Sequence, residues 1–246
     1  MHAPPLDSGE IHVWTAMLWV PGEGVAQDRA LLADEENARA DRLLLPRVRE
    51  RFIFARAILR RLLAGYLHVD PAKLVFRYTA QGKPYLGDGA ALCFNLSHSK
   101  DVAVIAIARR REIGIDIEAT TRDVEFEGVA RKVFSPNENA RLARVTPELR
   151  RAAFFRIWTR KEAYVKARGE GLNYSLRSFS VSDLPGDDDA LLADERQPLA
   201  HLAWRLAEIA APAGFSAALA APGRDWSVVR FAADRLSPAR LSGPRV

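Results

Sequence analysis

The run Gly114-Ile115-Asp116-Ile117-Glu118 places two carboxylates two residues apart in a β-branched stretch. A strand has a side-chain period of two, so both acids point to one face. A third acid, Glu162, stands in Trp158-Thr159-Arg160-Lys161-Glu162-Ala163-Tyr164-Val165-Lys166, which reads as a helix. Carboxylates held side by side repel one another, and burying them without compensation is costly. A divalent cation relieves that repulsion. Hard oxygen ligands in small number suit Mg²⁺ (or Mn²⁺) shared with a phosphate group. Asp116, Glu118 and Glu162 are therefore candidate metal ligands beside a phosphorylated substrate.

The rest of the chain limits the alternatives. With 246 residues and 48% hydrophobic content it can bury one large core or two small ones. Its 36 Lys+Arg against 31 Asp+Glu give a formal charge of +5, a balance that favours anionic partners without choosing among them. Cys93 is the only cysteine, so an intrachain disulfide and a cysteine-based metal cluster are excluded. His2, His12, His68, His98 and His201 lack zinc-ligand spacing. No apolar run is long enough to span a bilayer, and the N-terminus lacks a basic segment followed by an apolar core. The expectation is a cytoplasmic protein with no membrane partner.

The pattern along the chain is mixed. A strand is expected from Ile11 to Val20, including Trp14 and Trp19, before a turn at Pro21-Gly22. A helix is expected over about 28–45, interrupted by Pro46, and a second over 51–67. A short strand at 74–78 leads to the turn Gln81-Gly82-Lys83-Pro84. Strands at 92–96 and 102–108 flank a polar turn, Ser97-His98-Ser99-Lys100-Asp101. Helices follow near 124–134, from Ser135, and over about 149–168. Ser135-Pro136-Asn137-Glu138 is a capping box, which accounts for Glu138 structurally, and Gly169-Glu170-Gly171 is a plausible helix stop. Strands at 204–210, 215–221 and 226–231 follow an acidic loop at 184–189, and the tail from Leu236 is expected to fray. The order is α+β, with a seam near 109–112 dividing the chain into 1–112 and 113–246.

Five motifs then occur together and in order. Gly82-Lys83-Pro84-Tyr85, Phe94-Asn95-Leu96-Ser97-His98-Ser99, Ile113-Gly114-Ile115-Asp116-Ile117-Glu118, Phe134-Ser135-Pro136-Asn137-Glu138 and the Trp158–Lys166 stretch resemble the surfactin-synthetase-activating type of 4'-phosphopantetheinyl transferase. The resemblance covers nearly the whole chain. It implies a pseudo-twofold monomer of two similar α+β subdomains, with coenzyme A as substrate in the cleft between them. It further implies that Mg²⁺ assists transfer of the phosphopantetheine arm to a serine of an acyl carrier protein or peptidyl carrier protein, releasing adenosine 3',5'-bisphosphate.

What the resemblance implies for single residues is specific. Glu162 would be a metal ligand and also a base, direct or through water, for the carrier serine. Lys166, one helical turn on, would neutralise phosphate charge or assist the leaving group. Lys83, Ser97 and His98 would line the nucleotide side, with Ser97 and His98 near phosphates. Arg51 falls where the family places a 3'-phosphate contact, and Arg39 and Arg42 fall near its other basic contacts. Arginine suits such work because its planar fork matches phosphate oxygens. Trp158 is expected to pack into the core. The segment 120–134, with Phe126, Val129, Arg131 and Lys132, is the expected carrier-docking surface. Two other readings remain: a metal-dependent phosphohydrolase or nuclease, and a noncatalytic anion- or nucleic-acid-binding protein. Against the last, the basic residues are dispersed and form no nucleic-acid motif.

Overall fold

The computed structural model describes residues 3–18, 24–87, 91–233 and 241–242. Strand β1 (Glu10–Met17) leads into α1 (Val25–Arg29), α2 (Asp34–Asp41) and α3 (Pro46–Leu67). A ribbon of β2 (Phe76–Tyr78) and β3 (Pro84–Leu86) follows, then β4 (Leu92–Ser99) and β5 (Val102–Arg109). The same order then recurs. Strand β6 (Gly114–Ala119) leads into α4 (Phe126–Val133), α5 (Pro136–Arg144) and α6 (Pro147–Arg168), then a ribbon of β7 (Phe179–Val181) and β8 (Leu191–Asp194). A short α7 (Ala200–Ala203), β9 (Trp204–Glu208) and β10 (Phe215–Pro222) complete that unit, and β11 (Ser227–Ala233) and β12 (Leu241–Ser242) are added at the end.

The two long helices show the repeat most plainly. Each spans 22 residues and opens on a proline, tolerated there because the first-turn N–H groups have no helical partner. Each ends on a left-handed residue, His68 at φ 57° and Gly169 at φ 70°. Pro46 therefore starts a helix instead of interrupting one, and the helix expected over 28–45 is two short helices, α1 and α2. For the same reason α6 begins at Pro147, two residues before its expected start.

The strands repeat as well. In one sheet the order is β12-β11-β1-β5-β4, and in the other β6-β10-β9. Within them β1-β5-β4 and β6-β10-β9 are equivalent antiparallel triplets. The pseudo-twofold α+β architecture thus lies in topology, although the sequence shows no residue-level repeat. Strand β11 crosses back to run parallel to β1, pairing Glu10 with Ser227 and Ala16 with Ala233. A division at 112/113 separates the chain by order but not by sheet.

Three apolar clusters stack in layers. Phe54, Leu59 and Leu63 of α3 pack with Trp14, Phe94, Ile105 and Ile107 on one face of the first sheet. Ile11, Val13, Val104 and Ala106 on its other face meet Ile115, Ile117, Ala217 and Leu219 of the second sheet. The α6 residues Phe154, Ile157 and Tyr164 cover the far side, and half-buried Trp158 packs there as expected. The central strands are apolar on both faces because each is covered twice.

One correction bears on the site. Ser97, His98 and Ser99 lie in strand β4, not in a turn. The turn is confined to Lys100-Asp101, where Lys100 takes φ 51°. Trp19, the end of the first expected strand at Val20, the Pro21-Gly22 turn and most of the tail from Leu236 lie outside the described residues.

Candidate active site

Gly114 sets the distance between β6 and α6. A Cβ at this position would stand 2.1 Å from the Ala163 carbonyl oxygen and 2.3 Å from the Ala167 amide nitrogen. Only glycine allows that approach. On the same face of β6 the next two side chains are Asp116 and Glu118, and α6 presents Glu162 and Lys166 one turn apart. The close packing therefore brings the strand acids under the helix that carries the third acid and the lysine.

Asp116 is buried, and its Oδ1 accepts from Lys166 Nζ at 2.5 Å and from Ser97 Oγ at 2.8 Å. Its other oxygen, Oδ2, is buried without a hydrogen-bond partner. Glu118 accepts from Ser99 Oγ on one oxygen at 2.8 Å and from Arg122 Nη1 on the other at 2.7 Å. Glu162 is half-buried and its pKa is raised, first by desolvation, then by repulsion from Asp116 and Glu118, with Lys166 opposing.

Among the described residues, no three His, Cys, Asp or Glu side chains form a ready-made metal group. Lys166 instead supplies the cation that Asp116 touches. The donors nevertheless fit a hard divalent ion. A buried carboxylate oxygen lacks a partner, and desolvation, then repulsion from Asp116 and Glu118, raises the pKa of Glu162 beside it.

Glu162 and Lys166 open onto a cleft of about 460 Å³ that is also lined by Lys83, Pro84 and Asn95, with Lys132 and Arg177 among its basic residues. Tyr174, also in the lining, is fixed from behind: its hydroxyl donates to buried Asp194, which also accepts from Tyr164 Oη at 2.8 Å. Lys83 Nζ crosses between the halves, donating to Glu112 Oε2 at 3.0 Å, Ile113 O at 3.2 Å and Ala167 O at 3.3 Å.

The other first-half residues are less gathered. Strand alternation puts His98 on the opposite face of β4 from Ser97 and Ser99, and it is exposed. Its pKa is held below the ordinary histidine value by desolvation, then by the charges of Lys166 and Arg51. Arg51 is engaged by Asp101, with Nη2 2.6 Å and Nε 2.7 Å from Oδ1. Arg39 and Arg42 are exposed, the Arg39 guanidinium lying 5.4 Å over Phe52. No hydrogen bond or ion pair joins either to the seam among the described residues.

Sequence reasoning passed over Asn95 and Ser99, which reach β6, because it placed Ser99 in a turn. It also passed over Lys161, one residue before Glu162. Lys161 is fully buried and donates to both oxygens of Glu138 and to Phe179 O. The signal for Asn95 and Ser99 was present, since 95, 97 and 99 keep the strand period.

A duplicated α+β fold with clustered acids and lysines at the junction of its halves defines an enzyme that handles phosphate esters. Family models agree on which one. Residues 112–220 match the 4'-phosphopantetheinyl transferase superfamily, and residues 18–110 match the 4'-phosphopantetheinyl transferase N-terminal model. The 4'-phosphopantetheinyl transferase HetI of Nostoc sp. is 38% identical over 222 residues, covering 89% of this chain and 90% of that protein. A phosphopantetheinyl transferase of Thraustochytrium sp. is 33% identical across 68% of this chain and 64% of its own length. AcpT of Salmonella typhimurium is 47% identical over 92 residues, 37% of this chain and 48% of that one. The chain belongs to the 4'-phosphopantetheinyl transferase superfamily and is an enzyme of that class.

Proposed function

We propose that this enzyme moves the 4'-phosphopantetheine arm of coenzyme A onto a serine hydroxyl of an apo acyl or peptidyl carrier protein domain. The observation that carries the reading is the cleft in which Glu162, Lys166 and Lys83 converge beside buried Asp116. In this reaction the serine oxygen bonds to the β-phosphorus of coenzyme A, and the bridging pyrophosphate bond breaks. Adenosine 3',5'-bisphosphate leaves with that oxygen. Phosphoryl transfer of this kind depends on positioning and charge neutralisation.

Glu162 is suited to take the serine proton. An ordinary carboxylate is a weak base; desolvation first, then Asp116 and Glu118, raise the Glu162 pKa in the metal-free site, and a bound cation would oppose that rise. Lys166 can meet the developing charge on the leaving phosphate, since its ammonium already sits at the acid cluster. Asp116, Glu118 and Glu162 would hold Mg²⁺ or Mn²⁺, which supplies neutralisation of the pyrophosphate charge when bound. Lys83, Ser97 and His98 would orient the nucleotide side, with Arg51 on its 3'-phosphate and Arg39 and Arg42 further out. Exposed Arg131 and cleft-lining Lys132 on α4 suit docking of an acidic carrier domain. Action in the cytoplasm as a monomer belongs to the same reading.

Intact-protein mass spectrometry of an apo carrier protein incubated with coenzyme A, Mg²⁺ and the enzyme tests this. The expected result is a carrier mass gain equal to the phosphopantetheine arm, lost on omission of enzyme. No gain across several acyl and peptidyl carriers would overturn the proposal.

A further inference from the structure

The edge of β6 that faces away from β10 presents the backbone N–H groups of Ile115, Ile117 and Ala119. Strand β4 meets them with side chains. Asn95 Oδ1 accepts from Ile115 N at 2.8 Å, Ser97 Oγ from Ile117 N at 3.4 Å, and Ser99 Oγ from Ala119 N at 3.0 Å. All three side chains belong to buried residues. They occupy alternate positions on one strand and answer alternate amides on the other, so a single register satisfies the whole edge. An open strand edge buried here would leave those amides unpaired. A side-chain ladder thus replaces the backbone ladder between the two halves.

The two hydroxyls in this ladder do a second job. Serine has one proton to donate and lone pairs to accept with. Ser99 Oγ accepts from Ala119 N, and its proton is aimed at Glu118 Oε2. Ser97 Oγ accepts from Ile117 N and Lys166 Nζ, and its proton is aimed at Asp116 Oδ1. The β6 backbone therefore orients each hydroxyl, and each hydroxyl orients the acid one residue before the amide it serves. Arg122, itself exposed, competes for Glu118 from the opposite oxygen.

On the reading of the site as a metal-assisted transfer centre, we infer that Ser99 is a positioning residue for Glu118. The Asn95-Ser97-Ser99 ladder ties the placement of both strand carboxylates to the packing of the two halves. Ser99 touches no reacting atom. Its hydroxyl holds one oxygen of Glu118 while Arg122 holds the other.

The test is a Mn²⁺ titration of the full chain without coenzyme A, read by the electron paramagnetic resonance of free Mn²⁺. Ser99→Ala is expected to weaken Mn²⁺ binding by roughly tenfold or more, the usual effect of removing a partner of a metal ligand. Its melting temperature should fall, because the buried Ala119 N–H loses its acceptor, and Ser99→Thr, which keeps the hydroxyl, should restore both stability and affinity. Wild-type affinity in Ser99→Ala, or no rescue by Ser99→Thr, overturns the inference. Should Ser99→Ala fail to fold, Arg122→Ala decides: affinity holds or rises if Ser99 alone positions Glu118, and a tenfold loss overturns it. A wild-type chain that binds no Mn²⁺, either alone or in a repeat titration with coenzyme A present, overturns the metal reading of the site and this inference together. Binding that Ser99→Ala leaves intact overturns this inference alone.

Discussion

Lys161 and Glu138 form an ion pair in which neither side chain reaches solvent, with Nζ 2.7 and 2.8 Å from the two carboxylate oxygens. Burial lowers the Lys161 pKa while Glu138 opposes the shift. Glu138 also accepts from Ser135 N and Val181 N, so it joins the start of α5, the middle of α6 and β7. Removing one member of such a pair leaves a buried charge uncompensated. Lys161→Met should cost ~3–5 kcal/mol in urea unfolding, and combining it with Glu138→Gln should cost less than the sum of the two single changes. A loss under about 1 kcal/mol for Lys161→Met would show that the pair is solvated and not structural.

Gly114→Ala tests the close approach of β6 and α6. The added methyl meets helix backbone, which cannot rotate away, and overpacking of this kind costs about 1–3 kcal/mol or more. The expected outcome is a lowered melting temperature, together with a turnover loss larger than that of a distant variant of equal stability. An unchanged melting temperature would show that the helix shifts freely.

Glu162 and Arg51 should separate chemistry from binding. Glu162→Gln keeps the shape and removes the base, so turnover should fall by about 10²–10⁴-fold with coenzyme A affinity largely kept. Arg51→Ala should mainly raise the Michaelis constant for coenzyme A. Steady-state kinetics with both substrates varied distinguish these outcomes, and a reversal of the two patterns would exchange the roles.

The pair Arg131→Glu and Lys132→Glu reverses charge on α4. Expected is a raised Michaelis constant for the carrier protein, steepest at low salt, with that for coenzyme A spared. Equal effects on both substrates would place these residues in the nucleotide site instead.

His12 gives stability a pH dependence remote from the acids. Its Nδ1 lies 2.6 Å from Tyr66 Oη, its Nε2 lies 3.2 Å from Glu10 Oε2, and the Phe231 ring packs against it at a tilt of 58°. Desolvation lowers its pKa, with Glu10 and Asp7 opposing. The unfolded chain therefore binds this proton more readily than the folded one. Stability should fall as pH drops below the unfolded value of about 6.5 and level off below the folded pKa. Urea midpoints measured at pH 7.5 and 5.5 should differ less in His12→Gln than in wild type. Parallel profiles for the two proteins would remove His12 as the source.

How much was legible follows from interaction range. The Ser135–Glu138 capping box is written within four residues, and its two reciprocal hydrogen bonds form as expected. The Asp116/Glu118 alternation is equally local. The duplication was expected from the family resemblance and not from any residue-level repeat, because its halves share prolines, caps and strand order while their side chains differ. Ser99 was hidden for another reason: its partners lie about twenty positions away and meet it only once two sheets have packed. Neither does local spacing reveal that Lys166 rests on Asp116, since that contact needs Gly114 to admit the helix.

The return of β11 has a consequence for how the molecule is made. Strand β1 is made long before β11, one of its two neighbours, and Trp14 waits for Phe231 to stack on it at 4.4 Å. The first lobe is therefore topologically unfinished while the second is being translated. Duplicated halves that each closed their own sheet could assemble one after the other. Here β11 works as a clasp: the β6-β10-β9 sheet can close by itself, but the first lobe reaches its final sheet only after the second has been made.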